Sequence, residues 1–195
     1  FLARFQREAQ VVAKLDHNHI VPVYDFAEHQ GRPYLVMKFI EGETLKARLQ
    51  RSALAIPEAL RIVEAIGKAL SFAHKKGYLH RDIKPSNIMI TPQNHVMLID
   101  FGIAKATNQR LTEKTAFTHY GQMIGTPLYM SPEQAEMSGL DVDTRSDIYS
   151  LGVLLYELLV GTRPFSRIGD RRAGIDEIRR RIREEEPSRP STRVS

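Results

Sequence analysis

The apolar residues of this chain recur with two different periods, and the change of period predicts where helices and strands lie. Four apolar residues at helical spacing predict an amphipathic helix over residues 2–15: Leu2, Phe5, Ala9 and Val12. Two apolar, β-rich runs follow at residues 20–27 and 33–40. The polar stretch between these runs contains Gly31, so together they predict a β-hairpin.

Helical patterns dominate the rest of the chain. One long pattern begins at Pro57 and ends at Gly77, and a strongly apolar one covers residues 145–160. Between them, the short apolar runs 88–91 and 96–99 predict a second, smaller hairpin. A helix and strands therefore come first and mostly helices follow, which predicts an α+β fold.

The composition is that of a folded protein with one domain, or with one domain and a fragment of another. Of the 195 residues, 42% are hydrophobic and 26% are charged, which is close to ordinary globular usage. No stretch approaches the roughly 18 consecutive apolar residues of a membrane span. The absence of cysteine excludes disulfides and thiolate metal sites and fits a cytoplasmic compartment. Because the first residue is Phe1 and not methionine, we expect the sequence to be cut from a longer one.

The net charge of +5 does not by itself indicate a nucleic-acid partner. Many of the arginines follow residue 167, where Ile175, Ile178 and Ile182 form one stripe of a short helix. The arginines next to these isoleucines fall on the solvated side of that helix. No aromatic residues interleave with them to stack on bases, so we expect no nucleic-acid binding.

The strongest chemical signal is the segment His80-Arg81-Asp82-Ile83-Lys84-Pro85-Ser86-Asn87, followed by Asp100-Phe101-Gly102. Asp82 and Asn87 lie five residues apart on a polar loop, and Asp100 follows at a strand end. Carboxylate and amide oxygens placed in this way can gather around a hard cation. Mg²⁺ in particular takes one or two carboxylates together with substrate phosphates.

At these residues the sequence resembles the protein kinases, and in particular the bacterial-type serine/threonine kinases. The resemblance extends to the segments Gly125–Glu133 and Asp147–Gly152. It implies a two-lobe kinase-like fold of α+β class. Residues 1–39 would form a partial N-lobe, with one helix and two strands. Residues 40–195 would form a mostly helical C-lobe, truncated before its last helices.

The resemblance also implies a reaction, the transfer of the ATP γ-phosphate to Ser or Thr hydroxyls of protein substrates. Asp82 would be the catalytic-loop base, and Lys84 would neutralise charge on the transferred group. Asn87 and Asp100 would hold Mg²⁺. Lys84 and the Asp-x-Lys-Pro-x-Asn spacing are similar to serine/threonine kinases, whereas tyrosine kinases carry an Arg at a different spacing.

The nucleotide pocket is implied only in part. Residues 35–40 resemble the strand and hinge that bind adenine through backbone groups, here those of Lys38 and Ile40. Met37 would be the gatekeeper and Met89 the floor under the adenine. In the family, a glutamate equivalent to Glu8 pairs with a strand lysine that grips the phosphates. No lysine precedes Glu8, and the sequence contains no G-x-G-x-x-G.

Residues 102–132 have no sustained period, and loops of that length are usually functional. In relatives with Arg81 before the catalytic aspartate, a phosphorylated threonine of this loop pairs with the arginine and with a basic residue near Lys105. Three threonines stand in the corresponding loop of this chain: Thr112, Thr115 and Thr118. Thr126 stands where such kinases hydrogen-bond the Asp82–Lys84 pair.

Three further observations have structural interpretations. We expect His80 to be a buried histidine and not the general base, and Asp147 to be a scaffold residue that anchors the catalytic-loop backbone. His17 and His19 suggest a metal site only weakly, because no third ligand is near in sequence. The alternative to a kinase is a non-catalytic, kinase-like binding or scaffold module. The intact Asp82 and Asp100 favour the enzyme.

Overall fold

The computed structural model describes residues 9–30, 32–101, 127–136, 143–165 and 175–193. Its helices and strands in chain order are α1 over residues 9–12, β1 Val23–His29, β2 Arg32–Met37, β3 Glu43–Thr44, α2 Leu45–Arg51, α3 Ile56–Lys75, β4 Ile88–Ile90, β5 Val96–Leu98, α4 Pro132–Ala135, α5 Thr144–Val160 and α6 Ile175–Glu184. This mixture of short strands and longer helices confirms the predicted α+β class.

Both predicted hairpins are present. β1 and β2 pair antiparallel, with Val23 opposite Met37 and His29 opposite Arg32. β4 and β5 pair antiparallel in a second sheet, whose third strand is β3. β2 ends at Met37, whereas the apolar pattern predicts a strand to residue 40. The Lys38 N–H still donates to the Pro22 carbonyl (3.0 Å), and the chain then leaves the sheet.

The first helix ends earlier than the apolar spacing predicts. The described part is helical over residues 9–12 and continues as a turn. There, Lys14 and Leu15 donate to carbonyls only three residues back, those of Val11 and Val12. Such tight bonds commonly close the last turn of a helix. The prediction of helix to residue 15 was therefore wrong at its end, although Leu15 is still buried.

Local signals explain the bounds of the two long helices. α3 has Pro57 in its first turn, where the missing N–H costs no hydrogen bond. The Asp143 carboxylate caps the start of α5 by accepting from the Arg145 N–H (2.8 Å). α5 ends at Gly161, which adopts a φ of 79°, a left-handed conformation that glycine reaches without strain.

The core joins the strands to the helices. α3 contributes a row of fully buried residues that includes Ile62, Ile66 and Leu70, and these pack with Leu98 of β5 and Leu154 of α5 in one cluster. The same cluster contains the buried residues of α1. It also contains Ile83 and Ile88, and so anchors the polar segment 80–87 to the core. None of the described helices is long and apolar enough to cross a membrane.

Candidate active site

Two of the predicted catalytic side chains, those of Lys84 and Asn87, contact the third, Asp82. The Lys84 ammonium lies 2.6 Å from the Asp82 carboxylate. The Asn87 amide nitrogen donates to the Asp82 carboxylate (3.1 Å) and to the Asp82 backbone carbonyl (2.9 Å). Residues 85–87 form one 3₁₀ turn, which brings Asn87 back towards Asp82. The loop thus holds the Asp82 carboxylate in one orientation, with the Lys84 ammonium and the Asn87 amide both at its Oδ2 oxygen.

The backbone before Asp82 is held by Asp147, whose side chain is 1% exposed. One oxygen of the carboxylate accepts from the His80 N–H (2.8 Å) and the other from the Arg81 N–H (2.7 Å). The His74 ring nitrogen lies 2.8 Å from the first of these oxygens. Bonds to an ionised acceptor are about twice as strong as neutral ones. Asp147 therefore anchors the loop from α5, as the sequence predicts.

Arg81 adopts a φ of 65°, a conformation that non-glycine residues rarely take and that the surrounding structure must stabilise. Besides the N–H bond to Asp147, its carbonyl accepts from the side chain of Gln134 on α4 (3.3 Å). The Arg81 Nε is buried and has no hydrogen-bond partner in the described part of the chain.

His80 is fully buried and its two ring nitrogens are both engaged. Nε2 lies 3.0 Å from the Ile99 carbonyl, and Nδ1 accepts from the Asp82 N–H (3.2 Å). A carbonyl only accepts, so Nε2 carries the proton and the ring is neutral. Burial is the main reason that the pKa of His80 is lowered, although Asp147 opposes the shift. His80 thus supports Asp82 and also packs on the Phe101 ring, with centroids 4.7 Å apart.

The two predicted metal ligands lie at the open end of the second hairpin. The Ile99 N–H donates to the Asn87 carbonyl (2.9 Å), so Asp100 is the residue next to the backbone partner of Asn87. Asp100 is exposed and has a φ of 62°. The Asn87 amide nitrogen donates to Asp82, while its oxygen accepts from the Ser86 hydroxyl (3.3 Å) and has a second lone pair for a ligand. This oxygen-rich set matches the hard ligands that Mg²⁺ prefers.

No cluster of three or more His, Cys, Asp or Glu side chains able to hold a metal occurs among the described residues. A cation at Asn87 and Asp100 would therefore need further oxygens from a ligand. Mg²⁺ is commonly bound in this way, by one or two carboxylates together with substrate phosphates. The residues present fit a cation that arrives with a phosphorylated ligand.

The segment predicted to bind adenine lies between two cavities. Met37, at the end of β2, lines a small cavity together with Asp100 and Phe101. Lys38 and Ile40 line a larger cavity of about 490 Å³. The Lys38 N–H donates to the Pro22 carbonyl, whereas the Lys38 carbonyl and the Ile40 N–H make no backbone hydrogen bond within the described ranges.

Met89 lies on β4, half-buried and opposite Met97, and lines neither cavity. The role of Met89 as the floor under the adenine remains a prediction. Five predicted site residues lie outside the described residues: Glu8, Lys105, Thr115, Thr118 and Thr126.

Sequence reasoning missed three residues that support the site. His74 is the last-turn histidine of a long helix, and Gln134 follows a serine by three residues in a capping box. Neither pattern indicates a long-range partner. Gly42 is different, because a Cβ there would lie 2.2 Å from the Ile90 carbonyl oxygen. Its φ of 140° marks a close backbone approach, which an isolated glycine before a short strand can suggest.

Comparison with known proteins agrees with this geometry. The family described as "Protein kinase domain" matches residues 2–194. The chain is 46% identical over 175 residues to the serine/threonine-protein kinase PknB of Mycobacterium leprae, a match that covers 87% of the chain and 27% of the relative. It is 42% identical over 196 residues to the probable serine/threonine-protein kinase SCO3848 of Streptomyces coelicolor, with 98% and 28% covered. The chain thus spans little more than a quarter of these relatives.

Among solved structures, the chain is similar to the kinase domain of Mycobacterium tuberculosis PknI, in the crystal structure of a mutant form. The TM-score is 0.71 at 30% sequence identity. The match covers 99% of this chain and 64% of that domain. The similarity therefore includes the β1–β2 hairpin as well as the helices behind the site.

Proposed function

We propose that this chain, which belongs to the protein kinase family, carries the phosphoryl-transfer centre of a serine/threonine protein kinase. The observation that carries the proposal is the triad of Asp82, Lys84 and Asn87, in which Lys84 and Asn87 both contact the Asp82 carboxylate, with Asp100 next to the backbone partner of Asn87. Phosphoryl transfer needs positioned charges and metals more than covalent chemistry. This triad supplies both a positioned carboxylate and a fixed cation.

ATP with Mg²⁺ would supply the phosphoryl group and neutralise its developing charge. The Asn87 and Asp100 oxygens would hold the metal. Asp82 would orient the acceptor hydroxyl and take its proton. Lys84, already 2.6 Å from the Asp82 carboxylate, places a positive charge where negative charge develops. Met37, Lys38 and Ile40 would position the adenine, with Met89 below it.

The acceptor is proposed to be a Ser or Thr of a protein. The relatives named as serine/threonine kinases support this choice. A transfer that consumes ATP requires a compartment that supplies it, so the proposed location of this part of the protein is the cytoplasm. The proposed division into lobes falls between residues 39 and 40, where the chain has just left β2.

Regulation by phosphorylation is proposed at the same site. The buried Arg81 Nε, unpartnered in the described part of the chain, supports a role for Arg81 in binding a phosphorylated threonine of the segment 102–126. The proposed partners within that segment are Lys105, Thr115 and Thr118. A phosphate there would form charge-assisted hydrogen bonds with Arg81.

The test is phosphate transfer from radiolabelled ATP to a generic protein acceptor, measured on the protein as it is encoded, with any residues that precede Phe1. Asp82→Asn should lower turnover by at least about a hundredfold, because a positioned base contributes roughly 10²–10⁴-fold. Binding of Mg·ATP should be almost unchanged, since the base acts in the transition state.

The matched control is Asp25→Asn, the same substitution at an exposed position of β1. It should leave both turnover and binding at the level of the unmodified protein. Equal turnover in Asp82→Asn and the unmodified protein would refute the assignment of Asp82. Nucleotide binding without any transfer in the unmodified protein would instead favour a kinase-like scaffold module.

A further inference from the structure

Three histidines from two distant parts of the chain lie against one another where residues 17–21 join β5. The His19 ring is 5.6 Å from the His17 ring and 5.0 Å from the His95 ring, measured between centroids. We call His17, His19 and His95 the histidine cluster. Only the fold assembles it, because His95 lies in the turn of the second hairpin.

Hydrogen bonds define which nitrogens of the histidine cluster carry protons. His19 Nδ1 lies 2.8 Å from the Val96 carbonyl, and His95 Nε2 lies 2.7 Å from the Asn18 carbonyl. Since carbonyls only accept, both nitrogens are donors. His17 is different, because its Nδ1 accepts from the His19 backbone N–H (3.1 Å). This bond exists only while Nδ1 of His17 is unprotonated, so protonation there breaks it.

The surroundings of His17 oppose a positive charge. Its ring packs on Phe72 of α3, with centroids 5.1 Å apart, and the Lys76 ammonium lies 4.9 Å from the centroid of the same Phe72 ring. Burial and the neighbouring His19 lower the pKa of His17, and they outweigh Asp16, which acts in the opposite direction. His17 is therefore neutral when the chain is folded at pH 7.

The other charged groups around the cluster compensate little. On α3, Glu64 is close enough to His19 to interact electrostatically, but it is 65% exposed and paired with Lys68 at 2.6 Å. Across the 490 Å³ cavity that His17 and His95 line, one lysine and one glutamate offset each other: Lys38 and Glu41. The cavity also gives water access to the rings, so protons can exchange without unfolding.

We propose that the histidine cluster is a proton-sensitive latch, which holds residues 17–21 on β5 at neutral pH and releases them on acidification. The segment is attached by two backbone bonds, from the Leu98 N–H to the His19 carbonyl (2.8 Å) and from the Val21 N–H to the Leu98 carbonyl (3.0 Å). β5 continues through Ile99 to Asp100, so the latch acts on the strand that precedes the candidate metal site. The latch itself does not depend on what Asp100 binds.

The direction of the pH effect follows from the lowered pKa of His17. In the unfolded chain the pKa of His17 has its ordinary value of 6.5. Between pH 6.5 and the lower pKa of the folded chain, the unfolded chain therefore binds more protons than the folded chain. The stability that neutral His17 contributes is therefore fully present above pH 6.5 and is lost as the pH falls through the folded pKa. The opposite dependence would be expected for a histidine stabilised by an acid.

The test is backbone hydrogen exchange, followed by NMR on the ¹⁵N-labelled chain at pH 7.5 and pH 5.0. Protection factors, corrected for the intrinsic pH dependence of exchange, should fall about fivefold for the amides of Val21 and Leu98. This is the loss expected when about one hydrogen bond is removed. The amide of Ala69, in the middle of α3, should keep its protection. Equal protection factors at the two pH values for Val21 and Leu98, or an equal fall at Ala69, would overturn the proposal.

Two variants separate the latch from general acid destabilisation. His17→Gln retains an accepting oxygen and does not titrate, so it should abolish the fall at Val21 and Leu98. His29→Gln, at the exposed end of β1, should leave the fall intact. Persistence of the fall in His17→Gln would refute the proposal. If that variant does not fold, the ring titration of His17 in the unmodified chain decides, and a midpoint at or above 6.5 would refute it.

Discussion

Replacing Asp147 by asparagine should destabilise this protein much more than the loss of one charge from its surface. The Asp147 carboxylate is buried and accepts from the backbone N–H groups of His80 and Arg81 and lies within hydrogen-bond distance of the His74 ring. Asparagine has the same shape but only one accepting oxygen. Its NH₂ group therefore faces a donor, and one buried backbone N–H loses its partner.

The magnitude follows from these three contacts. An unsatisfied buried donor costs about 1–3 kcal/mol, and each of the two remaining bonds loses roughly 1 kcal/mol when its acceptor is no longer charged. The sum is about 3–5 kcal/mol. For a chain of this size, 1 kcal/mol corresponds to roughly 2–4 °C in the unfolding midpoint. We therefore expect Asp147→Asn to lower the midpoint by about 6–20 °C.

The assay is thermal unfolding followed by circular dichroism, with urea unfolding as a second measure. The matched control is Asp143→Asn, the same substitution at the start of the same helix. Asp143 is 47% exposed and caps α5, and asparagine is an equally good N-cap. This control should melt within about 2 °C of the unmodified chain. The reasoning would be refuted if Asp147→Asn also melted within about 2 °C of the unmodified chain, or if Asp143→Asn lowered the unfolding midpoint as much as Asp147→Asn does.

Two further predictions concern the backbone and the loop. Gly42→Ala should lower the unfolding midpoint by several degrees, because its Cβ would lie 2.2 Å from the Ile90 carbonyl oxygen. Gly67→Ala, in the middle of α3, should instead raise the midpoint by about 1–4 °C, because its Cβ would meet the Leu151 Cδ2 at an ordinary contact distance of 3.9 Å. A lower midpoint for Gly67→Ala than for Gly42→Ala would contradict this assignment. The protein as encoded should autophosphorylate between Lys105 and Thr118, and mass spectrometry should find no phosphate there in Asp82→Asn; phosphate found only outside that window would count against the role of Arg81.

Much of the local structure can be read from short stretches of sequence. The helices begin and end at residues whose chemistry is local, such as Pro57 in the first turn of α3 and Gly161 after α5. The proposed catalytic triad of Asp82, Lys84 and Asn87 is also local, since a single loop and one 3₁₀ turn bring its members together. Spacing along the chain is enough to predict contacts over such short separations.

The supports of the site depend on contacts that no local pattern encodes. Asp147 of α5 binds the candidate catalytic loop and is itself met by His74 of α3, a helix far from α5 in sequence. His95 meets His19 across two unrelated segments. The early end of α1 is likewise decided by packing, because residues 17–21 must reach β5. Propensity and periodicity act over a few residues, whereas these contacts form only when the core brings distant segments within hydrogen-bonding distance. The sequence therefore determined most of the elements and the candidate catalytic loop, and the tertiary structure decided what holds that loop in place.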